Sequence, residues 1–221
     1  MIRRLGLSLL SCGFVSSAAA FDAVVVTGLL SDEEFIRAAT CGAAPGQDCV
    51  QAPVLWPQSN LTLTILPSDI RVGAFMPLLL STSVDYALQQ INAAGSGLTI
   101  TRVAGPEADI RLTLTEAEEG SQMPDAPGVS APGVMGVGYT TLWWDDARQI
   151  TDASILISHR IKPTEIVSVV LEEIFQATGP LFDIDSPAYE GVSILSQRSN
   201  ATVSIAGQDA QLLRHLYPPQ P

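Results

Sequence analysis

Three polar residues fall at equal intervals in an otherwise apolar stretch, residues 162–185, KPTEIVSVVLEEIFQATGPLFDID. Ser168, Glu172 and Gln176 stand at i, i+4 and i+8, so a helix brings them into one stripe, with Glu173 about 100° round from Glu172. Glu172 and Gln176, one turn apart, form a polar pair able to hold a ligand or a cation if they face a cleft. They serve equally as a solvated stripe or as partners for neighbouring backbone. Glu173 lies among apolar side chains, and burial of a carboxyl raises its pKa into the range of a general base. A base needs an electrophile or nucleophile beside it, and the local sequence provides neither.

The element that must carry these residues reads as one long buried helix. Pro163 suits a first turn, and Gly179-Pro180 supplies a stop. Ile166, Val167, Val169, Val170, Leu171, Ile174 and Phe175 cover most of the cylinder, as in a helix sandwiched within a core.

The stripe also has the spacing of the zinc signature H-E-x-x-H-x-x-G-x-x-H, in which two imidazoles one turn apart reach one ion beside a general-base Glu. Glu172, Gln176 and Phe182 stand at the three ligand positions, Glu173 at the base and Gly179 at the glycine. With no imidazole at any ligand position, no metal and no cofactor are expected. His159 and His215 lie elsewhere and read as surface or cap residues. Oxygen donors from Glu172, Gln176, Asp183 or Asp185 would suit calcium, but their spacing matches no calcium loop.

Around this helix the chain reads as a leader, an arm and one domain. Arg3 and Arg4, an apolar run at 5–15 and Ala18-Ala19-Ala20 form a secretory signal peptide over residues 1–20, cleaved near Ala20 and too short to remain a membrane span. A periplasmic or secreted location follows. The balance of 23 acidic against 11 basic residues, net −12, disfavours nucleic acid and anionic lipid as partners. Cys41 and Cys49, separated by a turn-rich GAAPGQD, are expected to form a disulfide in that compartment. They fall in an arm, residues 21–55, where Ser31 and Glu34 have the spacing of a capping box opening a helix.

Residues 56–221 form the main domain. Alternation predicts strands at 61–66 and 108–115, further strands are expected at 98–103, 139–144 (an edge strand) and 150–158, and the apolar spacing of Leu80, Val84, Leu88 and Ile91 predicts a helix from Pro77 to Ala94. The Gly- and Pro-rich segment 116–138 reads as a loop, either a flap or a tolerated insertion, with insertion the expectation. A last helix is predicted at 206–217.

This order, with LEEIFQATG, then FDID, SILS and AGQDAQLLRHLYPP, resembles the bacterial domain of unknown function 2927 family and, more broadly, the zincin metalloproteases. The resemblance covers residues 56–219. It implies an α+β, zincin-like domain: a mixed, mostly parallel sheet on two helices, the second carrying E-E-x-x-Q-x-x-G, plus a C-terminal helix. It aligns Glu172, Glu173 and Gln176 with the family string and Asp183 with the acidic residue after it. Ser193 then begins the turn that underlies the metal in true metzincins, and Asp209 sits in the first turn of the closing helix. Pro180, Phe182 and Thr178 depart from the family pattern. The implied function is an exported, non-catalytic module that binds a peptide or envelope partner in a degenerate protease groove, with Glu172, Gln176, Asp183 and Ser193 as cleft candidates. The alternative is a hydrolase using Glu173 with unorthodox metal ligands.

Overall fold

The computed structural model describes residues 23–219 and the backbone of Ser16–Ala19; the remainder of the expected signal peptide lies outside the described residues. Strand β1 (Ser16–Ala19) is followed by β2 (Val24–Val25), α1 (Asp32–Cys41), β3 (Asn60–Ile65), α2 (Met76–Asn92), β4 (Thr99–Arg102) and β5 (Ile110–Thr115). Then come β6 (Gln122–Met123), β7 (Gly133–Val134), β8 (Gly138–Trp144), β9 (Ile150–Ser158), α3 (Ile166–Gln176), β10 (Ile184–Asp185), a 3₁₀ turn (Pro187–Tyr189) and α4 (Gly207–Leu216).

Alternation along the strands builds the central sheet. On β5, Ile110, Leu112 and Leu114 are buried while Arg111, Thr113 and Thr115 are half-buried. Their cross-strand neighbours Ala153, Ile155 and Ile157 on β9 face the same core, because directly opposite residues share a face. The sheet order is β1-β8-β9-β5-β3-β4. Its strands β9, β5, β3 and β4 run parallel, and β8 runs antiparallel to β9. The fold is therefore mixed α/β, with four α-helices on a mostly parallel sheet of five strands, to whose β8 edge Ser16–Ala19 adds antiparallel.

Helices α2 and α3 pack on each other, and Leu80, Val84, Leu88 and Ile91 join the core as their spacing predicts. The arm is tied into that same core. The Ser31 hydroxyl accepts from Glu34 N–H at 3.3 Å, the Glu34 carboxylate accepts from Ser31 N–H at 3.1 Å, and Phe35 stacks on Tyr189 at 5.5 Å. Cys41 and Cys49 are joined in a disulfide, with Cα atoms 5.1 Å apart.

Two sequence expectations are corrected. The helix of the polar stripe is shorter than the expected span from Pro163 to the Gly179-Pro180 stop. Lys162, Pro163 and Thr164 are exposed and form only a turn, with Glu165 N–H on the Lys162 carbonyl at 2.9 Å, so α3 starts where the buried face starts, at Ile166. It stops at Gln176, and the carbonyls beyond it are taken up by distant residues. Trp56 Nε1 donates to the Ala177 carbonyl at 2.8 Å and the Tyr217 hydroxyl to that of Thr178 at 2.5 Å. Gly179 follows at φ +128°, where a Cβ would lie 2.7 Å from the Val54 carbonyl oxygen, so this crossing requires glycine.

The second correction concerns 116–138. This segment holds the β6–β7 hairpin and packs Met123, Ala131 and Met135 with Tyr139 and Leu156 in a small core of their own. That core covers the face of β8 and β9 opposite α3. Gly and Pro punctuate the segment, and its few apolar side chains, too sparse for a local pattern, are anchored by long-range packing.

Candidate functional site

A cleft of about 490 Å³ opens between α3, β8, the strand-β7 side of the hairpin and the turn after β10. Glu172, Glu173 and Gln176 come from α3, Gly138, Tyr139 and Thr140 from β8, and Asp183 from the segment leading into β10. Glu119, Val134, Gly136 and Val137 form one wall; Ser196, Gln197 and Asn200 form the other. The structure thus brings together Glu172, Glu173, Gln176 and Asp183, and the 116–138 segment walls the cleft they share.

Each carboxylate is held differently. Glu173 is only 7% exposed, and its carboxylate accepts from the Thr140 hydroxyl at 2.5 Å. Its side chain occupies the space a side chain at 138 would need, since a Cβ on Gly138 would stand 2.5 Å from Glu173 Cγ. Burial lifts the Glu173 pKa to about 8, against the opposing Thr140 bond. Asp183 accepts from the Gln176 side-chain amide at 2.9 Å, and burial lifts it to about 6. Glu172 is pushed well above the carboxylate range by burial first, then by the negative charges of Asp183 and Glu173. Among the described residues its carboxylate has no hydrogen-bond or ion-pair partner. Among the described residues no Lys, Arg or His lines the cleft.

Asp183 is positioned by the arm. Leu181 N–H and Phe182 N–H both donate to the Ala39 carbonyl, at 2.9 and 3.1 Å, and Val24 N–H donates to the Asp183 carbonyl at 2.8 Å. The Phe182 ring packs on Gly42, the residue after Cys41, where a Cβ would be 2.7 Å from the ring. The disulfide arm therefore fixes one wall of the cleft.

Ser193 lies outside the lining. Its hydroxyl donates to Asp209 at 2.6 Å, and Asp209 also accepts from Ile194 N–H at 3.0 Å, so this pair anchors α4 to the turn. Burial raises Asp209 to about 6. Ser196, three residues on, reaches the cleft instead; it is 2% exposed and its hydroxyl has no hydrogen-bond partner. Asp185 pairs with Arg198, while His159 bonds the Thr115 carbonyl and His215 is exposed on α4.

The donor set does not fit the zinc ion that the spacing of the stripe brings to mind. Phe182 offers no donor and is packed against Gly42, and Gln176 offers only a neutral amide oxygen in place of an imidazole. Among the described residues no three His, Cys, Asp or Glu side chains are placed to hold a metal.

Thr140, Glu119, Ser196, Gln197 and Asn200 were not legible as site residues. The Thr140–Glu173 contact joins positions 33 apart, and no local spacing reports such a meeting. The one local cue was Gly138, the glycine that ends the 116–138 segment just before the strand expected at 139–144, where another group makes a close approach. Compared with protein-family models and with curated proteins, the chain matches none.

Proposed function

We propose that this chain is an exported, zincin-like module that binds an extended peptide or envelope partner along the β8 edge, over the acidic cleft. The observation that carries this reading is the pairing of Ser16–Ala19. Those four residues lie antiparallel on β8, Ser16 opposite Trp144 and Ala19 opposite Thr141, so the edge accepts an extended backbone of ordinary sequence. Cleavage near Ala20 removes this strand and frees the edge in the mature chain. Among the described residues the buried core runs from Val24 to Tyr217.

The test uses the chain beginning at Phe21 and a peptide opening with Ser-Ser-Ala-Ala. Strand addition rests on main-chain hydrogen bonds, so N-methylation of the peptide at alternate residues is expected to weaken binding about tenfold or more. Equal binding by the methylated and unmethylated peptides would overturn the reading.

The second reading, a hydrolase using Glu173, draws on the meeting of Glu173 with Glu172, Gln176 and Asp183 in one cleft. Peptidase activity that survives purification and is lost in Glu173→Gln, with the fold intact, would establish it over the first.

A further inference from the structure

The register of the β8 edge and the charge of the cleft together identify what the bound chain brings. A peptide that continues the Ser16–Ala19 register by three residues places its next side chains opposite Thr140, Tyr139 and Gly138, all of which line the cleft. Directly opposite residues share a face. Thr140 faces α3, where its hydroxyl meets Glu173, and Gly138 faces the same way, with the Glu173 carboxylate filling its missing side-chain space. Tyr139 points to the other face, its hydroxyl donating to the Ala131 carbonyl at 2.6 Å. The peptide residues opposite Thr140 and Gly138 therefore reach toward Glu172, Glu173 and Asp183, and the one opposite Tyr139 does not.

What those side chains meet is a cluster of carboxyl groups with no cation among the described residues that line it. Four carboxyl side chains line the cleft, Glu119, Glu172, Glu173 and Asp183, and among the described residues no cationic side chain does and none partners the Glu172 carboxyl. Independently of the acids, the Ser196 hydroxyl is 2% exposed and unpartnered on the opposite wall. Buried polar groups without partners are rare, and the Ser196 hydroxyl is one, facing a half-buried Glu172 carboxyl across the cleft. An ammonium or guanidinium supplies several donors and a positive charge, while carrying an apolar stem that suits Val134, Val137 and Val169.

We propose that the cleft is a pocket for a cationic side chain, a lysine-like ammonium or an arginine-like guanidinium carried by the peptide opposite Gly138. This rests on the edge-pairing reading and names the class of partner it selects. The Glu172 carboxylate is the principal acceptor, with Asp183 and Ser196 beside it, and Gln176 keeps Asp183 aimed at the site.

The experiment uses the chain beginning at Phe21 and Ser-Ser-Ala-Ala peptides extended by three residues. One peptide carries lysine opposite Gly138, a second norleucine there, and a third lysine opposite Tyr139 with norleucine opposite Gly138. The first is expected to bind about tenfold tighter than either of the others, as a charge-assisted hydrogen bond in a sheltered site provides. Glu172→Gln is expected to erase that preference while retaining the norleucine peptide's affinity. Equal binding by all three peptides would overturn the cationic pocket and leave the edge reading standing. If no peptide binds, the edge reading fails, and n-butylammonium titrated against the side-chain carboxylate resonances decides the pocket. Shifts at Glu172 and Asp183 would then uphold it, and unmoved resonances would overturn it.

Discussion

Replacing Glu173 by Gln keeps the shape of the side chain and removes its ionisation. The free-energy consequence follows from the group's surroundings. Glu173 is 7% exposed, and its pKa is lifted from 4.5 to about 8 by burial. Below about pH 4.5 the carboxyl is protonated in folded and unfolded chains alike and contributes no pH dependence. Between pH 4.5 and about 8 the folded chain keeps a proton that the unfolded chain releases, so wild-type stability falls as pH rises through this window. At about 1.4 kcal/mol per unit the full displacement is worth on the order of 3–5 kcal/mol. Glu173→Gln lacks this slope. The variant is therefore expected to resemble the wild type at pH 4 and to exceed it by roughly 3 kcal/mol or more at pH 8. Urea unfolding at half-unit pH intervals, with both proteins in the same buffers, measures the difference. Glu172 and Asp183 titrate in both proteins and interact with Glu173, so the gap between the profiles reports residue 173 together with its effect on their titration. Parallel profiles from pH 4 to 8 would refute the claim that this carboxyl is held neutral by burial.

Four further expectations follow from named contacts. Gly138→Ala is expected to push the Glu173 side chain off Thr140 and into the cleft, seen as a fall in the Glu173 pKa by carboxyl NMR; an unchanged titration would contradict the close approach. Gln176→Leu removes the amide that stabilises ionised Asp183, so the Asp183 pKa should rise above about 6, with a stability loss of about 1–3 kcal/mol in chemical unfolding. Trp56→Phe orphans the Ala177 carbonyl and is expected to lower stability by about 1–3 kcal/mol, with faster hydrogen exchange at the end of α3. Unreduced, denatured protein beginning at Phe21 should show no free thiol, and the paired Cys41→Ser and Cys49→Ser substitutions should cost about 2–3 kcal/mol, the closure entropy of a short loop.

How far the sequence foretells this molecule depends on the range of the interactions that make each element. The capping box of Ser31 and Glu34, the proline at the start of α2 and the alternation of β5 are set by neighbours within a few residues, and all appear where their patterns place them. The stripe on α3 was equally legible, because Glu172, Glu173 and Gln176 repeat on one helix. Its boundaries were not. The start depends on where the core begins to cover the chain at Ile166, and the end is held by Trp56 and Tyr217, residues 121 and 39 positions away from the carbonyls they cap. The hairpin within 116–138 was hidden for the same reason, since Met123 and Met135 find their neighbours Tyr139 and Leu156 only once β8 and β9 are in place. Ser193 shows the opposite failure. A resemblance placed it at the cleft, whereas a hydrogen bond to Asp209 turns its hydroxyl into the anchor of α4 and brings Ser196 to the cleft wall.

Amide hydrogen exchange on β8 tests the central claim most directly. The full chain, carrying Ser16–Ala19 on the edge, is expected to protect the outward-pointing amides of β8 between Thr141 and Trp144. The chain beginning at Phe21 is expected to lose that protection while the inward-pointing amides bonded to β9 stay slow, and the lysine-bearing peptide is expected to restore it. Outward-pointing β8 amides that exchange at one rate in all three samples would contradict a peptide-accepting edge above the acidic cleft.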